Sequence, residues 1–269
     1  MKTINDIDFS TLYKNHIQLA TREPKQPADW DKKAEQMQAT QFDLQNNYVQ
    51  DFISRMDFNG AETLLDVGCG GGAIALSAAN HFAQVYALDY SQGMLNLLQQ
   101  RASALHIHHV KPILRAWDDN WDDVPECDIC VSSRSSMVND LQASLDKLNA
   151  KAKKAVYMSM TVDKDFLDRD MLKFIGRDGV GFPNYIYAVN MLYQQGYRVK
   201  VDFLNSGCGM TAPSAVNSEE DFLRTVKWSI GSDLTDLEIR KLKDYFAHNQ
   251  GQTLVRPAQR NWAFLSWKK

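Results

Sequence analysis

Glycines and carboxylates lie within one short stretch of the chain, at a spacing suited to a nucleotide-like ligand. The apolar residues Leu64, Leu65 and Val67 surround Asp66 and lead into Gly68-Cys69-Gly70-Gly71-Gly72, after which the sequence becomes helical. Glycine tolerates positive φ and allows close approach to the backbone, so Gly68, Gly70 and Gly72 predict a turn with bare backbone on one side. A strand-to-helix connection that is merely rich in glycine is the alternative interpretation.

A carboxylate before the turn and another after it narrow the choice of ligand. Gly68-x-Gly70-x-x-Ala73 also fits the dinucleotide-binding pattern, and Asp89 follows about twenty residues later, where a ribose-binding carboxylate belongs. The glycines alone therefore fit a nicotinamide-dependent oxidoreductase as well. Asp66 favours another ligand, because its carboxylate would repel a pyrophosphate and attract an ammonium and a sulfonium group. S-adenosylmethionine carries both.

The stretch Leu64–Gly72, followed by Val85-Tyr86-Ala87-Leu88-Asp89-Tyr90-Ser91, resembles the class I S-adenosylmethionine-dependent methyltransferases of the small-molecule type over residues 30–205. In that family the glycine turn packs against the methionine part of the cofactor, and the acid ending the second strand binds the ribose hydroxyls. The resemblance also implies that Tyr90 and Met94 lie near the adenine and that Asp118 meets its amino group, a solvated acidic loop being the other interpretation of Asp118. The expected cofactor-binding residues are Asp66, Gly68, Cys69, Gly70, Gly72, Asp89, Tyr90, Met94, Trp117, Asp118 and Ser133.

Three further residues are expected on the substrate side or in a lid. Arg134 follows the predicted fourth strand, where ligands of open α/β sheets bind, and it would hold an anionic substrate group or pair with a local carboxylate. Trp30 opens Trp30-Asp31-Lys32-Lys33-Ala34, which resembles a Trp-Asp-x-x-Ala segment that closes over the cofactor in many small-molecule methyltransferases. A surface-helix anchor is the alternative for Trp30. Tyr185 begins a later helix and is either a substrate contact or a core aromatic residue.

Hydrophobic periodicity predicts an α/β fold with N-terminal helices, a mostly parallel sheet and a helical insertion before the last strand. The resemblance implies that the sheet is doubly wound and seven-stranded, with an antiparallel last strand. We expect one domain, 1–269, with an N-terminal helical cap (1–60), a cofactor-binding core (61–205), a helical insertion (206–255) and a last strand (256–269). The predicted strands are 63–67, 84–89, 109–114, 127–133, 154–161, 198–204 and 261–268, and the predicted helices from residue 72 onward are 72–81, 91–104, 139–151, 163–175, 185–195, 219–229 and 235–248.

Composition limits the classes of partner. A formal net charge of −3 gives no basic excess that would attract nucleic acid. The first ten residues contain no apolar core and no apolar run reaches the length of a spanning helix, so we expect a cytoplasmic protein without membrane attachment. We expect no metal site at His106, His108 and His109, because they lack a carboxylate or cysteine partner at ligand spacing. Cys127-x-x-Cys130 enters a predicted strand, so ordinary packing is expected there. We expect all four cysteines to be reduced thiols, namely Cys69, Cys127, Cys130 and Cys208.

The sequence therefore predicts methyl transfer from S-adenosylmethionine to a small-molecule acceptor by in-line displacement. It identifies neither a general base nor the acceptor. The alternatives are an RNA methyltransferase, which would bind RNA in a salt-dependent way, and a cofactor-binding protein without transferase activity.

Overall fold

The computed structural model of the chain describes residues 3–20, 23–38, 42–204, 218–249 and 261–269. One mixed sheet of seven strands forms its centre, in the order β3-β2-β1-β4-β5-β7-β6. Its first five strands pair in parallel, whereas β7 lies antiparallel to both β5 and β6, as predicted. The strands are β1 (Thr63–Val67), β2 (Gln84–Asp89), β3 (Val110–Leu114), β4 (Cys127–Ser133), β5 (Ala152–Thr161), β6 (Lys200–Leu204) and β7 (Trp262–Lys268).

Ten α-helices occur in the described parts of the chain. None of them is long and apolar enough to cross a membrane. They are α1 (Phe9–Leu19), α2 (Pro27–Gln38), α3 (Asn47–Ser54), α4 (Ala73–Ser77), α5 (Gln92–Ala104), α6 (Leu141–Lys151), α7 (Arg169–Ile175), α8 (Tyr185–Gln194), α9 (Glu219–Ile230) and α10 (Asp236–His248).

Helices cover both faces of the sheet. One apolar cluster contains buried side chains of α3, α4 and α5, and the other contains those of α1, α6 and α8. The strands β1 and β4 are accordingly buried at nearly every position, as expected for parallel strands that are covered on both sides. In β7, Trp262 and Phe264 belong to the first cluster and Ala263 and Leu265 to the second, so successive side chains face opposite sides of the sheet.

Helix boundaries differ from the predictions where a local residue decides them. The helix predicted over 72–81 ends at Ser77 and a 3₁₀ turn follows over Ala79–His81. Pro27 is the first residue of α2, a position where the missing backbone N–H costs nothing. The helix predicted from 163 begins only at Arg169, because Asp168 accepts hydrogen bonds from the backbone N–H of Asp170 and Met171.

A smaller apolar cluster joins α7, α9 and α10. Thr235 and Glu238 form a capping box at the start of α10. Glu238 also forms an ion pair with Arg177, which follows α7, and this guanidinium lowers the pKa of Glu238 to about 2. These contacts fix α7 to the helices before the last strand. Residues 206–217 and 250–255 of the predicted insertion and residues 256–260 of the predicted last segment lie outside the described residues, and so does Cys208.

Candidate functional site

The glycine turn connects β1 to α4 in a conformation that side chains disfavour. Gly68, Gly70 and Gly72 have φ values of +70°, +52° and +86°. The backbone N–H groups of Gly68 and Cys69 both donate to the carbonyl of Leu88, at 2.7 and 3.0 Å, so the turn is fixed to the end of β2. A Cβ at Gly68 would stand 2.2 Å from Cβ of Ser135. Both the backbone angle and the space therefore require glycine at this position.

Asp66 lies in β1 just before this turn, and Asp89 is the last residue of β2 and contacts the turn with its carboxylate. Asp66 is 1% exposed, and its Oδ2 accepts a 3.0 Å hydrogen bond from the backbone N–H of Ala75 in α4. Asp89 is 6% exposed and accepts from the backbone N–H of Gly70 (2.8 Å) and of Ser91 (2.9 Å). The carboxylates thus hold the start of α4 and the middle of the turn.

Burial makes both carboxylates unusual acids. Removal from water raises the pKa of Asp66 to about 7 and raises that of Asp89 above its ordinary value. The pKa of the Cys69 thiol, which lies between them, is likewise raised by burial and by the two neighbouring carboxylates. None of the ion pairs between described residues involves Asp66 or Asp89. The turn therefore presents negative charge that a cationic ligand would stabilise.

Helix α2 is fixed across the start of α5. Oδ1 of Asp31 accepts from the Ser91 hydroxyl at 2.6 Å and from the backbone N–H of Gly93 at 2.8 Å. A Cβ at Gly93 would stand 2.9 Å from Cα of Asp31, so the two helices are in close contact there. The carbonyl of Lys25, two residues before α2, accepts a 3.0 Å hydrogen bond from the Tyr90 hydroxyl.

Trp30 and Met94 belong to the contact between these helices. Met94 is buried in a small cluster with Ala34 and Leu97, against which Trp30 packs. The ring of Trp30 also meets that of Trp228 in α9 edge to face, with 5.7 Å between ring centres. The N-terminal helices and the helical segment before β7 therefore meet at Trp30, next to the start of α5.

Trp117 and Asp118 lie in the loop after β3. The indole N–H of Trp117 donates to the carbonyl of Ser135 at 3.0 Å, and its ring stacks on Trp121. Trp117 thus contacts Ser135, the residue that lies against Gly68. Asp118, one residue further, is exposed.

Hydroxyl groups join the carboxyl ends of β4 and β5. The hydroxyl of Tyr48, in α3, lies 2.8 Å from Oγ of Ser133 and 2.6 Å from Oγ of Ser159. The guanidinium carbon of Arg134 lies 4.1 Å from the centre of the Tyr48 ring, a cation–π contact. Ser135 donates its hydroxyl to the carbonyl of Val67 at 2.7 Å, which ties the end of β4 to the glycine turn.

A small cleft of about 50 Å³ opens beside this network. It lies where β4 and β5 end and where the antiparallel β7 begins, since Thr161 pairs with Trp262. Tyr185 does not belong to its described lining; its ring packs on Phe203 of β6. The lining is Arg134, Ser136 and Met137 after β4, Ser159–Thr161 of β5, Trp262 of β7, and the loop residues Phe166 and Pro183.

Sequence reasoning brought the glycine turn and the end of β4 together but missed Tyr48, Ser159 and Trp262. In the sequence Tyr48 is only one apolar position of a helix, and Ser159 and Trp262 are ordinary positions of predicted strands. Their common signal is their place at the carboxyl edge of the sheet, because a strand antiparallel to β5 must begin where β5 ends. Within the described residues no group of three or more His, Cys, Asp or Glu side chains is arranged to hold a metal ion.

The contact between Gly68 and Ser135 yields a test of this geometry. Gly68→Ala should displace Ser135 and lower the free energy of unfolding by more than Gly176→Ala does. Gly176 has a φ of +85°, but a Cβ there would meet nothing within 4 Å. The control thus carries the backbone strain alone, about 1 kcal/mol. Chemical denaturation of both variants measures the difference, and equal losses of stability would contradict the close contact.

Comparison with known proteins gives the family. Residues 64–155 match the sequence model of a methyltransferase domain family. An uncharacterized protein from Haemophilus influenzae is 38% identical over 268 residues, which cover 98% of both chains. The structure is similar to that of magnesium protoporphyrin IX methyltransferase from Synechocystis, solved with bound S-adenosylhomocysteine (TM-score 0.55, 12% identity, 97% of this chain and 100% of that one).

The YcgJ protein from Bacillus subtilis is also similar, with a TM-score of 0.56, 11% identity, and coverage of 82% of this chain and 98% of that one. The structural similarities concern the fold, and the matched domain includes β1, the glycine turn and β2. The chain belongs to the same family as the Haemophilus influenzae protein and is a class I S-adenosylmethionine-dependent methyltransferase.

Proposed function

We propose that the chain transfers a methyl group from S-adenosylmethionine to a small-molecule acceptor by direct in-line displacement, and that the cofactor lies over the glycine turn. The observation that carries this proposal is the pair of buried carboxylates, Asp66 and Asp89, without an ion-pair partner among the described residues. A cation bound beside them would offset the cost of keeping their charge away from water.

The residues present fit this cofactor. Asp66 would face its positively charged methionine end, and Asp89 would accept from the ribose hydroxyls in addition to the backbone N–H of Gly70. Gly70, where an added Cβ would meet only Sδ of Met94 at 4.0 Å, would leave room for the ligand beside Cys69. The expectation of bare backbone at all three glycines is wrong for Gly68 and Gly72, because Ser135 and Leu76 fill the space beside them. Tyr90, Met94, Trp117 and Asp118 would surround the adenine, while Ser133 would lie at the methyl-transfer end.

The cofactor would supply an activated methyl group. A lone pair of the acceptor would form the new bond to this methyl carbon, while the electrons of the carbon–sulfur bond would remain on sulfur. The chain itself must align the acceptor and exclude water. Trp30 of α2 and Trp228 of α9 are suited to the second task, because they meet beside the start of α5. We therefore propose that residues 1–60 and 206–255 cap the cofactor-binding core 61–205 within a single domain.

A small molecule is the acceptor that the observations favour. The formal net charge of −3 gives the chain no general attraction for RNA. The Synechocystis enzyme that shares the fold is named for a small-molecule acceptor.

Asp66→Asn separates binding of the cofactor from support of the fold. The amide oxygen can still accept from the N–H of Ala75, whereas the charge is lost. We expect calorimetry to show an affinity for S-adenosylmethionine that is roughly 10- to 100-fold lower. The melting temperature of the unliganded protein at alkaline pH should not decrease.

Asp244→Asn is the matched control, because it removes the same charge from the exposed surface of α10. It should leave the affinity unchanged. A loss of melting temperature in Asp66→Asn with unchanged affinity would mean that Asp66 serves only the start of α4.

The raised pKa of Asp66 predicts a pH dependence of binding. Burial raises this pKa to about 7, so the carboxyl group of the unliganded protein is protonated below that pH and attracts a cation only after deprotonation. The affinity for S-adenosylmethionine should therefore rise with pH up to about 7, and this rise should be absent in Asp66→Asn. Calorimetric titrations across this range measure it, and parallel pH profiles of the two proteins would refute the assignment to Asp66.

Transfer of labelled methyl from S-adenosylmethionine to an extract of Haemophilus influenzae, the source of the 38% identical relative, tests the reaction itself. We expect label in the low-molecular-mass fraction. Label in the RNA fraction, removed by ribonuclease, would establish the RNA methyltransferase alternative instead. Binding of the cofactor without label in any fraction would establish a binding protein without transferase activity.

A further inference from the structure

We propose that the methyl acceptor is a small organic anion with an apolar body, whose carboxylate is held between the guanidinium of Arg134 and the indole N–H of Trp262. The site is the cleft at the carboxyl ends of β4 and β5. This inference rests on the proposed methyl transfer and specifies its acceptor.

Trp262 provides a buried donor that the described structure does not satisfy. The residue is 6% exposed, and its Nε1 has no hydrogen-bond partner among the described residues. A buried N–H without a partner has lost its hydrogen bond to water, so such groups are uncommon in folded proteins. Because Trp262 lines the cleft, an acceptor oxygen of a bound ligand would supply that partner.

Arg134 provides the charge. Its φ of +57° is unusual for a residue with a side chain, and its backbone N–H donates to Oγ of Ser159 at 3.0 Å. The guanidinium lies over the ring of Tyr48, and the same ring meets that of Trp262 with 6.3 Å between centres. Tyr48 therefore positions both proposed donors at one cleft.

The chemistry of the lining favours an anion. Of the described lining residues Arg134 is charged, and none is an acid or a histidine. Met137, Met160, Phe166 and Pro183 offer apolar surface for the body of the ligand. A neutral hydroxyl would need a base to lose its proton during methylation, whereas an oxygen that arrives ionised needs none. The guanidinium fork also matches a planar carboxylate.

The cleft adjoins the glycine turn through one residue. Ser135 donates to the carbonyl of Val67 and lies against Gly68, while its two chain neighbours, Arg134 and Ser136, line the cleft. An anion held by Arg134 therefore lies on the side of β4 that faces the proposed methionine end of the cofactor.

Benzoate and benzamide form a matched pair of probes, since they share shape and differ in charge. In ¹⁵N-resolved NMR of the S-adenosylhomocysteine-bound protein, the indole N–H peak that disappears in Trp262→Phe should shift with benzoate and much less with benzamide. Arg134→Gln should weaken benzoate binding by roughly 10-fold or more, as expected for loss of a charge-assisted hydrogen bond.

Arg224→Gln is the control variant, because it removes the same charge from the exposed part of α9. It should bind benzoate like the unchanged protein. Equal shifts with both probes, no shift with either, or equal effects of Arg134→Gln and Arg224→Gln would overturn the anion site, whatever the protein catalyses.

The acceptor class is tested by passing the low-molecular-mass fraction of the extract over an anion exchanger before the labelled reaction. Label in the retained fraction, reduced in Arg134→Gln and in Trp262→Phe, supports the proposal. Label only in the unretained fraction overturns it and leaves methyl transfer to small molecules standing. Absence of label from both fractions contradicts the proposed function, and the benzoate experiment then still decides the anion site.

Discussion

Two buried carboxylates on either side of a glycine turn are the constraint on which the rest of the site depends. Asp66 and Asp89 are almost entirely shielded from water, and burial raises the pKa of each. A fold tolerates such groups when backbone N–H groups or a ligand stabilise their charge. Here the N–H groups of Ala75, Gly70 and Ser91 contribute part of that stabilisation. A cationic cofactor would supply the remainder.

The sheet brings the other parts of the site to the same edge. Parallel strands β1, β2 and β4 end side by side, so the turn after β1, Asp89 at the end of β2 and Ser133 at the end of β4 are neighbours. The antiparallel β7 adds Trp262, since its first residue pairs with the last residue of β5. One edge thus carries a cofactor region on one side of Ser135 and a cleft with donor groups on the other.

Most of this fold could be predicted from sequence because its signals are local. The strands β1, β2 and β4 were predicted at their observed bounds, since apolar runs between glycines and polar residues define them. The glycine turn and Asp89 followed from spacing along the chain. Tyr48 could not be found in this way, because its role arises from contacts with Ser133 and Ser159 that are distant in sequence. The unsatisfied N–H of Trp262 is likewise a property of packing, which periodicity does not reveal.

The central claim is that Asp66 and Asp89 form the charged part of a cofactor site. A crystal structure of the chain with S-adenosylmethionine tests it most directly. The account predicts the ribose hydroxyls at the carboxylate of Asp89, the methionine end over Gly68 and Gly70 beside Asp66, and the methyl group directed toward the cleft of Arg134 and Trp262. A cofactor bound elsewhere, with both carboxylates keeping only their backbone partners, would contradict it.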